Sequence, residues 1–137
     1  MKSLLALLLI ITLNPAIAGD SQSCYDSAMA QSQLNRCAKL EMQEATATLN
    51  QLLTELKSTL PVKPEENLIA AQKAWDDLVT NDCSIESWYL EGGSARSMIV
   101  TRCHTNHSRQ RIKLLSRLLC HPMKEECEAA EKYQTLP

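Results

Sequence analysis

The sequence predicts an all-α protein, a small disulfide-stapled bundle of about four helices, and three observations carry that prediction. Apolar residues recur at steps of three and four along most of the chain, the spacing that lines up one face of an α-helix. Two Trp, three Tyr, no Phe and only three Gly in 137 residues leave too few aromatic strands and glycine turns for a β-sandwich or barrel. Six cysteines sit in a chain long enough for one globular domain and too short to argue for two. The bulk charge is nearly balanced, with 14 Lys+Arg against 16 Asp+Glu, so no large positive field draws the protein to nucleic acid.

Residues 1–18 place one cation, Lys2, before an apolar run over 4–13, then a break at Asn14-Pro15 and the triplet Ala16-Ile17-Ala18. This is the layout of a secretory signal peptide cleaved after Ala18. The apolar run is far shorter than the roughly 20 residues that span a bilayer, so no membrane anchor is expected once it is removed. The residues before Cys24 are Ser21-Gln22-Ser23, not the aliphatic and small run of a lipoprotein. The expected mature chain, 19–137, is one helical domain of net charge −3, because Lys2 leaves with the signal. It is expected in the periplasm or outside the cell.

Along the mature chain, Ser23 followed three residues later by Asp26 resembles a capping box, which predicts a short first helix starting near Cys24 and carrying Met29. The strongest helical stripe follows over 34–60, through Leu34, Ala38, Met42, Ala45, Leu49, Leu52, Leu53, Leu56 and Leu60. Pro61 and Pro64 break it. Pro64 suits a first helical turn, and Glu65 and Glu66 suit the positive end of a third helix. That helix is expected to turn Leu68, Ala71, Trp75, Leu78, Val79 and Cys83 inward, and its pattern fades at Trp88-Tyr89. Gly92-Gly93 marks a reversal, and Ser94 can cap a fourth helix with Met98, Ile99, Cys103, His107, Leu114 and Leu118 inward, ending near Leu119. Beyond His121-Pro122 the tail is polar and reads as a small appended loop.

An even number of cysteines downstream of a signal segment reads as disulfides, and six cysteines permit 15 pairings. If the third and fourth helices fold antiparallel about Gly93, residues equidistant from it lie level. Cys83 and Cys103 are each ten residues away and are expected to pair, with Trp75 near Arg111 and Val79 near His107. Cys24 with Cys37 would staple the first helix to the second, and Cys120 with Cys127 would close a small loop. A competing reading is metal ligation, since Cys103, His104 and His107 fall within one helical turn and His121 follows Cys120. None of the familiar paired-cysteine zinc spacings is present, so no metal or other cofactor is expected.

Ala71-Gln72-Lys73-Ala74-Trp75, Cys83, Glu91-Gly92-Gly93-Ser94, Cys103 and the segment 108–114 together resemble the LprI-type lysozyme-inhibitor N-terminal domain family. The resemblance covers most of 24–118, and the early pair Cys24 and Cys37 fits it. Ser108 stands at the usual threonine position, with Arg111 and Leu114 completing that motif. His107 replaces a more usual aliphatic residue, and Cys120 with Cys127 is an addition. The resemblance implies a small secreted helical protein that inhibits lysozyme in the cell envelope.

Gln72 and Trp75 read most simply as structural anchors of the hairpin, Trp75 accepting a cation-π contact from Arg111. The turn has two readings: helix reversal, or a loop that enters a partner's cleft using Trp88, Tyr89, Glu91, Gly92, Gly93, Ser94 and Arg96. A catalytic serine is disfavoured, since Ser94 lacks the second glycine of a nucleophile elbow and no strand precedes it. Residues 65–91 hold seven acids against Lys73, whereas 96–117 hold six cations and no acid. The two helices should attract, and the acidic face could steer a cationic partner. The expected role is therefore a non-enzymatic inhibitor of a peptidoglycan-cleaving enzyme, lysozyme by resemblance. Alternatives are an immunity protein against a delivered cell-wall amidase, and a small envelope hydrolase or metal-binding protein.

Overall fold

The computed structural model describes residues 21–120 and 131–133. The expected signal segment 1–18 lies outside the described residues, as do Cys127 and with it the expected Cys120–Cys127 link. Among the described residues four α-helices of seven residues or more are present, α1 (Ser21–Ser27), α2 (Gln31–Thr59), α3 (Val62–Glu86) and α4 (Arg96–Ser116), and residues 131–133 are helical as well. A 3₁₀ turn, Trp88–Leu90, follows α3, and another, Arg117–Leu119, extends α4. Among the described residues there is no strand, and no helix is long and apolar enough to cross a membrane.

α2 is the spine, 29 residues and roughly 44 Å long. Its start is fixed by Gln33, whose Oε1 accepts the backbone N–H groups of Met29 and Ala30 at 2.7 and 2.9 Å. Its end is set by Pro61. The proline ring disfavours helical geometry in the residue before it, and Leu60 is accordingly extended, at φ −80° and ψ 143°. α3 then begins at Val62. Pro64 falls in the first turn, where its missing N–H has no intrahelical partner to lose. At the other end of α2, Ser23 lies inside α1 rather than capping it, and Met29 lies beyond α1 in the connection, fully outside the core.

α4 runs through the middle of the domain, packed most extensively on α2 and less so on α3, while α1 lies on α2. The main core joins Leu49, Leu52, Leu53 and Leu56 of α2 to Leu68 of α3, and to Ile112 and Leu115 of α4. Nearer the turn, both faces of the α2–α4 contact carry small buried side chains, Ala38 and Ala45 on one helix and Thr105 and Ser108 on the other, which let the axes approach closely. Two of the buried hydroxyls of α4 bond their own helix: Thr105 donates to the Thr101 carbonyl at 3.0 Å and Ser116 to the Lys113 carbonyl at 3.2 Å.

The inward stripe expected for α4 needs correction. Leu114 is 54% exposed and Leu118 53%, whereas Ile112 and Leu115 are buried. At 100° per residue, Ser108, Ile112 and Leu115 share the face that meets α2, and Leu114 is rotated away from it. After Ser116 the chain tightens into the 3₁₀ turn, so Leu119 packs on the core and Leu118 swings outward. On α3, Ala71 and Leu78 also face solvent. That helix is covered along one narrow side only, through Leu68, Trp75, Val79 and Cys83.

Residues 131–133 return to the core, correcting the expectation of a merely appended polar tail. Tyr133 is buried with the α2 leucines, and its hydroxyl donates to Glu55 Oε2 at 2.6 Å. Lys132 Nζ reaches the same oxygen at 2.9 Å. Hydrogen bonds from Tyr133 and Lys132 hold the Glu55 carboxyl below its ordinary range.

Candidate functional site

The α3–α4 hairpin is where most of the sequence-singled residues meet. Cys83 and Cys103 are joined in a disulfide with Cα atoms 5.5 Å apart, and both are buried, in one cluster with Val79. A second disulfide, Cys24 to Cys37, ties α1 to α2. Eight residues before Cys83, about 12 Å down the axis of α3, Trp75 lies beneath Arg111, whose guanidinium carbon is 5.8 Å from the ring centroid. Arg111 Nε also donates to Gln72 Oε1 at 3.3 Å, and Gln72 Nε2 donates to Asp76 Oδ1 at 3.2 Å. Burial pushes the Arg111 pKa down and the charge of Asp76 opposes it. Gln72, Trp75, Asp76 and Arg111 thus form one interlock between α3 and α4. Ser108 is apart from it, buried against α2, and Leu114 is in neither contact.

The tip of the hairpin presents a different surface. Trp88 is 71% exposed and Tyr89 63%, and their rings meet edge to face at 6.4 Å. Behind them the backbone is closely tied. Ser87 is buried and donates its hydroxyl to the Cys83 carbonyl at 2.9 Å, and the Gly93 N–H bonds the Leu90 carbonyl at 2.9 Å. Gly92 takes φ +77°, the left-handed region that side chains with a Cβ avoid. A Cβ added at Gly93 would come within 3.1 Å of the Leu90 carbonyl oxygen. Gly92→Ala is expected to cost about 1 kcal/mol, read as a lower midpoint in guanidinium unfolding with an unchanged slope.

Ser94 does not cap α4: the residue before the helix is Ala95, with no side-chain cap. Its carbonyl instead accepts Asn35 Nδ2 at 3.0 Å, and Gln31 Nε2 donates to Asn35 Oδ1 at 2.9 Å, so the start of α2 buttresses the turn. Glu91, Gly92, Gly93 and Ser94 are exposed, while Arg96 is half-buried with its Nε enclosed and without a hydrogen-bond partner. The tip is thus a rigid aromatic projection, and Arg96 belongs to its base.

The metal reading grouped Cys103, His104 and His107 on one turn. The structure groups His107 with Cys83 and Cys103 instead, and His104 is not part of that cluster; His121 lies outside the described residues. Burial lowers the His104 pKa, and the charge on His107 adds to the effect.

One interaction escaped the sequence reading. Glu41 of α2 accepts Arg109 Nη1 at 2.7 Å and the Tyr25 hydroxyl at 3.0 Å, clamping α1, α2 and α4 together. The signal for it was a carboxylate one turn after Cys37, on the side of α2 next to the buried stripe. Burial, then the hydrogen bond to Glu41 and its charge, pushes the Tyr25 pKa up to about 12. A raised phenol pKa favours the protonated native state, so this contribution is complete below pH 10 and is lost as pH climbs toward 12. Thermal melts between pH 9 and 11 should fall in midpoint for the wild type and fall less for Tyr25→Phe.

A shallow cleft of about 210 Å³ between α2 and α3, lined by Leu53, Leu68, Ile69 and Gln72 among others, is smaller than the usual small-molecule pocket. The fold and the tip together define a class: a small, disulfide-stapled helical scaffold that presents a fixed surface. The profile of the lysozyme inhibitor LprI family matches residues 23–115, and the chain belongs to that family. No curated protein and no solved structure gave a significant match.

Proposed function

We propose that this protein is a non-enzymatic inhibitor of a peptidoglycan-cleaving enzyme, a lysozyme by family, acting in the periplasm or outside the cell. Two disulfides suit an oxidising compartment. The observation that carries the reading is the exposed aromatic tip, Trp88 and Tyr89, at the end of an apolar strip on α3 that includes Leu78 and Ile85. Leu78 and Ile85 are seven residues apart and so share one helix face. Asp82 and Glu86 flank this strip on the same helix and Glu91 stands in the turn. Aromatic anchors on a rigid backbone lose little entropy on binding, and flanking acids speed encounter with a cationic enzyme.

The test is a cell-wall lysis assay in which the oxidised protein is titrated against a c-type lysozyme. Stoichiometric inhibition is expected. Trp88→Ala with Tyr89→Ala should weaken binding at least tenfold while leaving the melting midpoint nearly unchanged, since both side chains face solvent. Full inhibition by that double variant would remove the tip as the contact. No inhibition at excess protein, with binding to a cell-wall amidase instead, would move the reading to an immunity protein.

A further inference from the structure

Beside the Cys83–Cys103 disulfide, the α3–α4 seam holds an imidazole and a carboxylate that neither the fold nor the tip explains. The ligand atoms of Cys83, Cys103 and His107 all lie within 4.8 Å of one another. On its solvent side, His107 Nε2 is 3.6 Å from Asp82 Oδ2, with the imidazole three-quarters covered and the carboxylate more open. Two sulfurs, one imidazole and one neighbouring carboxylate form the donor chemistry of a tetrahedral Zn²⁺ site. A carboxylate beside a ligating histidine is also the usual means of orienting that ring, and the exposed side of Asp82 and His107 supplies an access route to the buried sulfurs.

We propose that reduction of the Cys83–Cys103 disulfide converts this seam into a binding site for a divalent thiophilic cation such as Zn²⁺, held by both thiolates and His107, with Asp82 as the fourth ligand or the orienting group. The step balances with a dithiol as reductant. Two electrons and two protons pass from the dithiol to the protein disulfide, giving two cysteine thiols and the oxidised dithiol; the cation then displaces one proton from each thiol. The metal takes the place of the covalent link at the only disulfide between α3 and α4 among the described residues, so the hairpin keeps a crosslink in a reducing environment.

The experiment uses the purified protein, reduced with a dithiol, freed of it under argon and titrated with Co²⁺ as a spectroscopic stand-in for Zn²⁺. A one-to-one complex is expected, with thiolate-to-cobalt charge-transfer absorption and the visible bands of a tetrahedral ion, formed by the reduced protein only. His107→Ala should weaken it about tenfold or more, whereas His104→Ala and the Cys24→Ser/Cys37→Ser variant should leave it unchanged. The proposal is overturned if the reduced protein forms no one-to-one complex, or if the oxidised protein binds equally well. It is also overturned if His104→Ala and His107→Ala act alike, the result expected of ligands on an unfolded chain, or if loss of Cys24 and Cys37 abolishes the complex.

Discussion

Replacing Cys83 and Cys103 together by alanine is expected to lower the stability of the oxidised protein by about 3 kcal/mol and its melting midpoint by on the order of 10–20 °C. The disulfide closes a loop spanning 20 residues, against 13 for Cys24–Cys37, a difference that by chain entropy alone is worth only about 0.4 kcal/mol. Location separates the two further. α1 is seven residues long and buries nothing of its own, so freeing it releases little of the core. α3 is covered along one narrow side, and Cys83 and Cys103 with Val79 are the buried centre of its upper half. Removing both sulfurs leaves that half held by the packing of Val79 and by the turn, and the lower half held by Trp75, Arg111 and Gln72. Thermal and guanidinium melts of the double variant, beside a Cys24→Ala/Cys37→Ala control, measure the difference. A loss below about 1 kcal/mol would mean that the Trp75–Arg111 interlock carries the hairpin without the covalent link.

A second large effect separates two adjacent leucines. Leu115→Ala is expected to cost about 2–4 kcal/mol, because Leu115 is 4% exposed in a core shared with Leu52, Leu56 and Ile112, and truncation leaves a cavity there. Leu114→Ala is expected to stay within about 0.5 kcal/mol, since more than half of that side chain already faces water. The pair needs no comparison across residue types, as the same side-chain truncation is made in two environments one step apart along the chain. Equal losses at the two positions in denaturant unfolding would mean that the register of α4 is rotated from that described.

The contrast between these leucines shows how far sequence reasoning reached. The stripe of α2 was legible along most of its length, because a long helix with a wide buried face states its period many times over; Ala38, Ala45, Leu49, Leu52, Leu53 and Leu56 are buried as their spacing implies, while Leu34, Met42 and Leu60 are half-buried. α4 was not legible in the same way. Its buried face is built partly from Thr105, Ser108 and Ser116, the first and last of which bond their own helix, and a pattern that counts only apolar residues passes over all three. Leucines at Leu114 and Leu118 then draw the inferred stripe to the wrong side. The seam of the hairpin followed from counting outward from Gly93, which placed Cys83 opposite Cys103 and Trp75 opposite Arg111. The Glu41–Arg109–Tyr25 clamp had no such symmetry to reveal it, since Tyr25 and Arg109 lie 84 positions apart, on α1 and α4, and meet at a carboxylate of α2.

By itself the sequence determined the helical class, the breaks at Pro61 and Gly92-Gly93, the antiparallel hairpin and its disulfide level. These depend on local backbone preference and helical period, which are written into neighbouring residues. Tertiary structure alone decided that α4, not α3, is the central helix, that Tyr133 returns to the core over Glu55, that Arg96 is drawn under the turn while Trp88 and Tyr89 project, and that His107 meets Cys83 as well as Cys103. Each of these depends on which faces meet across long sequence separations, and that is settled by the joint burial of several helices, a quantity that no single segment encodes.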